Sequence, residues 1–435
     1  MDHFQTRRGR LYAEDVPIEA IASTVGTPVY VYSTATLERH YRVFAASVAD
    51  LDAMVCYAVK ANGNRAVVRT LARLGAGADV VSGGELQVAL AAGVPASRIV
   101  FSGVGKTERE LVEAIKAGVA QINVESVSEL HALNTVGRAL GVAAPFALRV
   151  NPDIDARTHE KISTGLSETK FGIEWTAAHR VFAEAAGLPS LRPMGIAVHI
   201  GSQLTDLEPF EQAFRRVRDL VLMLRADGHP IETLDLGGGL GIPYGDETAP
   251  VPGPDVYAQI IRDTVGDLGC RLILEPGRLL VGNAGVLVTR VIHVKEGATR
   301  TFVIVDAGMN DLLRPALYGA RHTIEPVVTP AASVTMRRVD VVGPICETSD
   351  TFATHVALPP LRPGALLAIR TAGAYGAVMA SAYNIRPMVA EVLVRDGVFA
   401  VVRERITVDD MLERQPLPSW LADEEEAAPS VIRAR

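Results

Sequence analysis

Between Met54 and Glu275 short β-branched runs alternate with helical patterns, and this alternation confines the chain to architectures built on a parallel sheet. Eight strand segments can be read: Met54–Val59, Ala78–Val81, Ile99–Phe101, Gln121–Val124, Phe146–Val150, Gly195–Ile200, Thr233–Leu236 and Leu272–Leu274. Helical stretches such as Glu85–Ala92, Glu108–Ala117, Ser128–Leu140 and Phe210–Ala226 lie between them. Eight such units in roughly 220 residues match a closed (β/α)8 TIM barrel better than an open doubly wound sheet. In a barrel, chemistry gathers at the strand ends that face the βα loops. Here those ends carry Lys60, Asp79, Ser102, Glu125, Asn151, His199, Gly237 and Glu275.

After Ala284 the pattern changes to strand-like runs without long helices: Val286–Val294, Phe302–Asp306, Arg337–Val342, Leu366–Ile369 and Met388–Arg395. A mainly β domain is therefore expected to follow the barrel. The early run Pro28–Tyr32 is also strand-like and either joins that domain or connects to the barrel. The expected division is a barrel over 34–283, a β domain over 1–33 with 284–422, and an acidic tail over 423–435.

Composition narrows the partners. A formal net charge of -7, with 48% hydrophobic and 21% charged residues, is the profile of a soluble globular protein and leaves no basic footprint for nucleic acid or an anionic membrane. Neither is expected as a partner. The first residues lack the apolar core of a secretory signal, and no run approaches the roughly 18 apolar residues of a membrane span, so a cytoplasmic location is expected. Three cysteines, Cys56, Cys270 and Cys346, are too few for a disulfide framework and fit a reducing compartment.

Two motifs fail on spacing. Gly103-Val104-Gly105-Lys106-Thr107 would need a glycine at Val100 to be a phosphate-binding Walker loop, and reads instead as a strand-to-helix loop with Thr107 as N-cap. Gly237-Gly238-Gly239-Leu240-Gly241 is not a dinucleotide fingerprint, because Ile242 takes the last glycine's place. Neither H-E-x-x-H nor C-x-x-C occurs, so no metal is expected. The glycine run keeps two readings, a tight turn or a set of backbone N–H groups open to a phosphate.

Lys60 at a strand end could be a solvated charge. A lysine inside a barrel mouth, near a glycine cradle and a carboxylate, is also what a pyridoxal phosphate Schiff base requires. Glu275, in Glu275-Pro276-Gly277-Arg278, would be that carboxylate, holding a proton on the pyridine nitrogen; its plainer reading is a pairing with Arg278.

With these residues in view, the chain resembles the fold type III pyridoxal phosphate-dependent decarboxylases, through motifs spread from Thr27 to Asn384. They are Tyr57–Asn62, Asp79 with Ser82-Gly83-Gly84-Glu85-Leu86, His199-Ile200-Gly201-Ser202-Gln203, Gly237–Gly241, Glu275–Arg278, Gly343-Pro344-Ile345-Cys346-Glu347 and Gly373-Ala374-Tyr375-Gly376. The resemblance implies an alanine-racemase-like barrel plus a β-sandwich or β-barrel domain built partly from the N-terminal segment. It makes Lys60 the Schiff-base lysine, His199 the residue stacked on the cofactor ring and Glu275 the partner of the ring nitrogen. Ser202, Gly237, Gly238, Gly239, the Pro276-Gly277-Arg278 backbone and Tyr375 would hold the phosphate. Position alone favours a core histidine at 199, and Asp79 either contacts the cofactor or caps the next helix.

The resemblance is nearest to the branch acting on meso-diaminopimelate. It implies decarboxylation at the D-configured centre to L-lysine and carbon dioxide, the last step of lysine biosynthesis. Arg278, Arg314, Tyr318 and Tyr375 would contact the substrate, and a guanidinium fork suits its distal carboxylate. Glu347 would match the distal amine, where a similar ornithine decarboxylase has an aspartate. Without its neighbours, Arg314 would read as a surface ion pair. Cys346 resembles the proton donor, reaching with Glu347 into the partner subunit's site, so that a homodimer with shared active sites is the working unit. Cys56 and Cys270 read as buried hydrophobes. Ser349 stands where the family commonly has glycine. The alternatives are a related decarboxylase for D-lysine, D-ornithine or carboxynorspermidine, or a non-catalytic cofactor carrier or regulator; the intact Cys346, Glu347, Arg314 and Tyr318 argue against the last two.

Overall fold

Eight parallel strands close on themselves in the computed structural model, which describes residues 2–156, 158–162, 164–165, 169–245, 250–418 and 420–421. In chain order they are Ala53–Ala58, Gly77–Val80, Ile99–Phe101, Gln121–Val124, Ala144–Asn151, Leu191–Ala197, Thr233–Asp235 and Arg271–Leu274, and the last pairs with the first. The expected barrel is the observed one. The acidic tail expected over 423–435 lies outside the described residues.

Each strand is buried on both faces, as a parallel barrel requires. Outward side chains pack under the helices. In helix Glu208–Ala226, Phe210, Ala213, Phe214, Val217, Leu220, Val221 and Leu224 form a buried stripe at helical spacing. Phe210 and Phe214 meet Tyr257 with ring centroids 5.0 and 6.1 Å apart. Inward side chains at every second position fill the barrel. Met54, Cys56, Val100 and Ile273 form an apolar cluster of their own, and a polar layer follows. There Thr233 Oγ1 donates to Gln121 Oε1 at 2.6 Å, and Asn123 Nδ2 donates to Asp235 Oδ2 at 2.7 Å and to Ser102 Oγ at 3.0 Å. The helices start where side-chain caps satisfy their free N–H groups. Thr107 and Glu110 form a capping box at Glu108–Ala117, and Ser82 caps Gly83–Ala91.

One strand lies earlier than expected. Leu191–Ala197 replaces Gly195–Ile200, because the ladder passes through Pro193 with a bulge before Gly195 and then leaves the sheet at Val198.

The second unit is a sheet in the order Thr351–Leu358, Arg337–Val342, Thr301–Val305, Gly285–Glu296, Val29–Ser33, Ala390–Arg395, Val398–Arg403. The early run therefore belongs to the β domain, antiparallel to Gly285–Glu296 and parallel to Ala390–Arg395. Its alternation decides its packing. Val29 and Val31 join Phe4, Leu11, Ile18, Val286 and Val392 in one core, while Tyr30 and Tyr32 face the larger core that includes the barrel. This sheet also reaches the barrel mouth: Tyr375 N–H donates to Ala61 O at 2.8 Å and Asn62 Nδ2 to Gly373 O at 3.1 Å. The loop carrying Tyr375 is thus fastened to the turn carrying Lys60.

Candidate active site

Lys60 sits in the single 3-10 turn Val59–Ala61 that ends the first barrel strand. Its Nζ donates to the carboxylate of Asp79, which is fully buried in the next strand. Asp79 is not the cap of the following helix; Ser82 fills that position. Burial opposes a charge on Lys60, but the Asp79 and Glu275 carboxylates outweigh it and raise the amine's pKa. Glu275 follows the eighth strand and is buried, and its Oε1 has no hydrogen-bond partner among the described residues. It makes no pair with Arg278, whose guanidinium is taken up elsewhere. Burial, then the nearby Asp235 and Asp79, push the Glu275 carboxyl well above its ordinary range. Asp235 beside it is raised as well by its burial, although Asn123 and the Gly237 N–H donate to it.

His199 lies just beyond the sixth strand with its Nδ1 accepting the Gly238 N–H at 3.1 Å. Burial, then the charges of Arg149 and Lys60, hold its pKa well below the usual value, so the ring is neutral with its proton on Nε2. The glycine run serves both of its readings in part. A Cβ on Gly238 would lie 2.1 Å from Glu275 O, and Gly237 has φ +66, so side chains are excluded by packing and by backbone. The Gly237 N–H is used by Asp235 Oδ1 and that of Gly238 by His199, which leaves Gly239 as the open amide of the three. The amides of Gly277 and Arg278 are likewise unpartnered among the described residues. They line, with Ser202, Pro276 and Tyr375, a tight cavity of ≈ 30 Å³ beside Lys60 and His199. An amine, a carboxylate oxygen without a partner, a neutral ring and free amides together fit pyridoxal phosphate.

Two larger cavities meet at Lys60 and His199. The inner one, ≈ 370 Å³, is lined by Asn123, Arg149, Asp235 and Glu275, with Arg149 fixed by Glu125 at 2.8 Å. The outer one, ≈ 430 Å³, is lined by Arg278, Arg314, Tyr318 and Tyr375. Arg314 opens the short helix Arg314–Tyr318 and is buried, not paired at the surface. Its guanidinium stands 4.7 Å over the Tyr244 ring and meets His322 Nε2 at 3.0 Å. Arg278 lies 4.8 Å over the Tyr375 ring and bonds Ser202 Oγ at 3.0 Å and the Tyr244 hydroxyl at 2.6 Å. Tyr244, His322, Asn123, Arg149 and Asp235 were not among the sequence expectations. The last three were legible: each lies two residues before a marked strand-end position, at Glu125, Asn151 and Gly237, and so shares its inward face.

Cys346 and Glu347 stand apart. Both are exposed, and neither lines any of the three cavities above. Cys346 Sγ and N–H each lie 3.4 Å from Asn384 Oδ1. Glu347 accepts from the Tyr383 hydroxyl at 2.6 Å and from Ser349 Oγ at 2.9 Å. The buried Asp350 shapes the loop by accepting the Met309 and Ile345 N–H groups, each at 2.6 Å. Ser349 does not have a positive φ, so a side chain replaces glycine there without backbone strain. Cys56 and Cys270 are buried, and burial raises both thiol pKa values.

Residues 34–282 match the family described as pyridoxal-dependent decarboxylase, pyridoxal binding domain. The chain is similar to diaminopimelate decarboxylases from Pseudomonas aeruginosa, 50% identical over 96% of this chain and 99% of the relative, and from Zymomonas mobilis, 47% identical over the same shares. Among solved structures it is similar to the Helicobacter pylori diaminopimelate decarboxylase complexed with L-lysine, with TM-score 0.87 and 42% identity over 92% of this chain and 99% of that one.

Proposed function

This chain belongs to the pyridoxal-dependent decarboxylases, and we propose on that premise that it converts meso-diaminopimelate to L-lysine and carbon dioxide, the last step of lysine biosynthesis. The observation that carries the reading is a cavity where Lys60 meets two buried guanidinium groups, Arg278 and Arg314, that have no carboxylate partner among the described residues. A substrate with a second, distal carboxylate answers that unmet charge; one with a distal amine alone does not.

Pyridoxal phosphate, when bound, supplies the sink for the electron pair left by departing carbon dioxide. Lys60 Nζ is the atom that would hold it, with Asp79 accepting the amine's proton in a hydrogen bond. Glu275 Oε1 would take the ring nitrogen's N–H, and neutral His199 would lie against the ring without adding charge. Ser202, Gly237, Gly238, Gly239, Pro276, Gly277, Arg278 and Tyr375, which line one tight cavity, would hold the phosphate. Arg278 and Arg314 hold the distal carboxylate with Tyr318 and Tyr375 alongside, which fixes which end of the substrate reaches Lys60. Cys346 Sγ returns a proton to the carbon that lost its carboxylate, and Glu347 binds the distal amine. Both act in the site of a second copy, so the working unit is a homodimer with shared active sites; their exposure and their absence from the lining of the Lys60 cavities described above support this.

The same proposal divides the chain into a barrel over 34–283 and a β domain over 1–33 with 284–422, and places the enzyme in the cytoplasm. No helix among the described residues is long and apolar enough to cross a membrane. Purified holoenzyme given meso-diaminopimelate is expected to release carbon dioxide and L-lysine. A higher kcat/KM for D-lysine, D-ornithine or carboxynorspermidine would overturn the substrate assignment.

A further inference from the structure

Two guanidinium groups buried in one cavity repel each other, and burial, with the charge of Arg278 adding to it, lowers the pKa of Arg314. Among the described residues no carboxylate relieves this. Arg278 is held by Ser202 Oγ at 3.0 Å and the Tyr244 hydroxyl at 2.6 Å, and Arg314 by the face of the same Tyr244 ring at 4.7 Å and by His322 Nε2 at 3.0 Å. Every one of these groups is neutral. His322 is fixed in that state by its other nitrogen: Nδ1 lies 2.9 Å from the Arg370 carbonyl, which can only accept. Nδ1 therefore carries the proton and Nε2 is left to accept from Arg314. Burial, then the charge of Arg314, also lowers the His322 pKa to about 4, which keeps the ring neutral at ordinary pH. Tyr244 and His322 are themselves packed edge to face, 5.2 Å between centroids.

An aspartate or glutamate at either position would hold the arginines as firmly and would cancel their charge. A tyrosine offers electron density twice, from its oxygen to Arg278 and from its ring face to Arg314, without doing so. The Nε atoms of both arginines are buried with no partner among the described residues.

We propose that Tyr244 and His322 are the positioning residues for carboxylate recognition: they fix Arg278 and Arg314 with neutral contacts only, leaving the charge of both for the distal carboxylate of the substrate. This rests on the reading of the site given above, and it assigns specificity to two side chains that need not touch the reacting atoms.

The test uses holoenzyme and two ligands that differ by one group, L-lysine and 1,5-diaminopentane, which is L-lysine without its carboxylate. Inhibition constants for both are measured in wild type, Tyr244→Phe, His322→Ala and His322→Gln. Tyr244→Phe and His322→Ala are expected to weaken L-lysine about tenfold, the scale of a hydrogen bond to a charged group, and to move 1,5-diaminopentane by less than about twofold. His322→Gln, which restores a neutral acceptor, is expected to recover most of the loss. Equal weakening of both ligands, no weakening of L-lysine, or a wild type that binds the two alike would each overturn the inference. If His322→Ala does not fold, Tyr244→Phe and His322→Gln still decide it. Wild-type turnover is scored separately: failure to make L-lysine from meso-diaminopimelate defeats the substrate reading, whereas turnover with an unchanged ligand ratio in the variants defeats only this one.

Discussion

At the mouth of the barrel the groups around Lys60 are buried and held by other side chains, whereas the loop carrying Cys346 and Glu347 presents both to the outside. The electrostatics divide in the same way. Burial drives Glu275 up and His199 down, while Glu347 is simply lowered by the hydrogen bonds of Tyr383 and then Ser349. A desolvated set of orphaned polar atoms waits for a ligand that will share its space. An exposed loop waits for a surface to cover it. The mouth is thus complete within one chain, and the loop supplies its chemistry only when a second copy, as proposed, brings a mouth to it.

The largest effect should come from the mouth. Lys60→Ala is expected to lower kcat by on the order of 10⁴ or more and to abolish the adduct trapped by borohydride reduction. Mass spectrometry showing that adduct retained would remove Lys60 from its role. Cys346→Ala should keep the trapped adduct and lose about 10²- to 10³-fold in kcat. Mixing these two inactive chains should restore some activity through hybrid dimers; none, despite demonstrated subunit exchange, would break the division between mouth and loop.

The pH dependence of stability tests the buried side again. His322 has its folded pKa lowered from 6.5 to about 4, so the unfolded chain takes up the proton first as pH falls. Its contribution is intact above pH 6.5 and is lost through the window down to about 4, by up to about 3 kcal/mol. Urea unfolding at pH 7 and pH 4.5 should therefore show wild type losing more stability than His322→Gln, and equal losses would contradict the buried neutral imidazole. The smallest effect belongs to the loop. Ser349→Gly removes one of two hydrogen bonds on an exposed carboxylate and should raise KM only about two- to fivefold. An unchanged KM would mean that Tyr383 alone sets Glu347.

The barrel was legible because burial on both faces writes near-continuous apolar runs, and seven of its eight strands lie within a residue or two of where those runs place them. Two strands of the β domain, Thr351–Leu358 and Val398–Arg403, escaped because most of their side chains are exposed or half-buried, which leaves no alternation to read. At the site, Lys60, His199, Glu275 and Arg278 stand in motifs beside strand ends and could be named in advance. Tyr244 and His322 could not, since they lie on loops and matter through the two arginines that they bring together from Arg278 and Arg314. The cap of Gly83–Ala91 was open to misreading because Asp79 and Ser82 are both good capping residues three positions apart, and only the structure shows Asp79 turned toward Lys60.

The position of Val29–Ser33 has a consequence for how the molecule is made. This strand is synthesised before the barrel, yet one of its two neighbours, Ala390–Arg395, is synthesised after it; the hydrogen bond from Tyr32 to Glu391 spans 359 residues. Throughout synthesis of the intervening barrel, an apolar strand is left with an open edge, the condition under which nascent chains associate wrongly. Translation speed and chaperone access over that interval should therefore govern the yield of native protein more strongly than the stability of the finished barrel does.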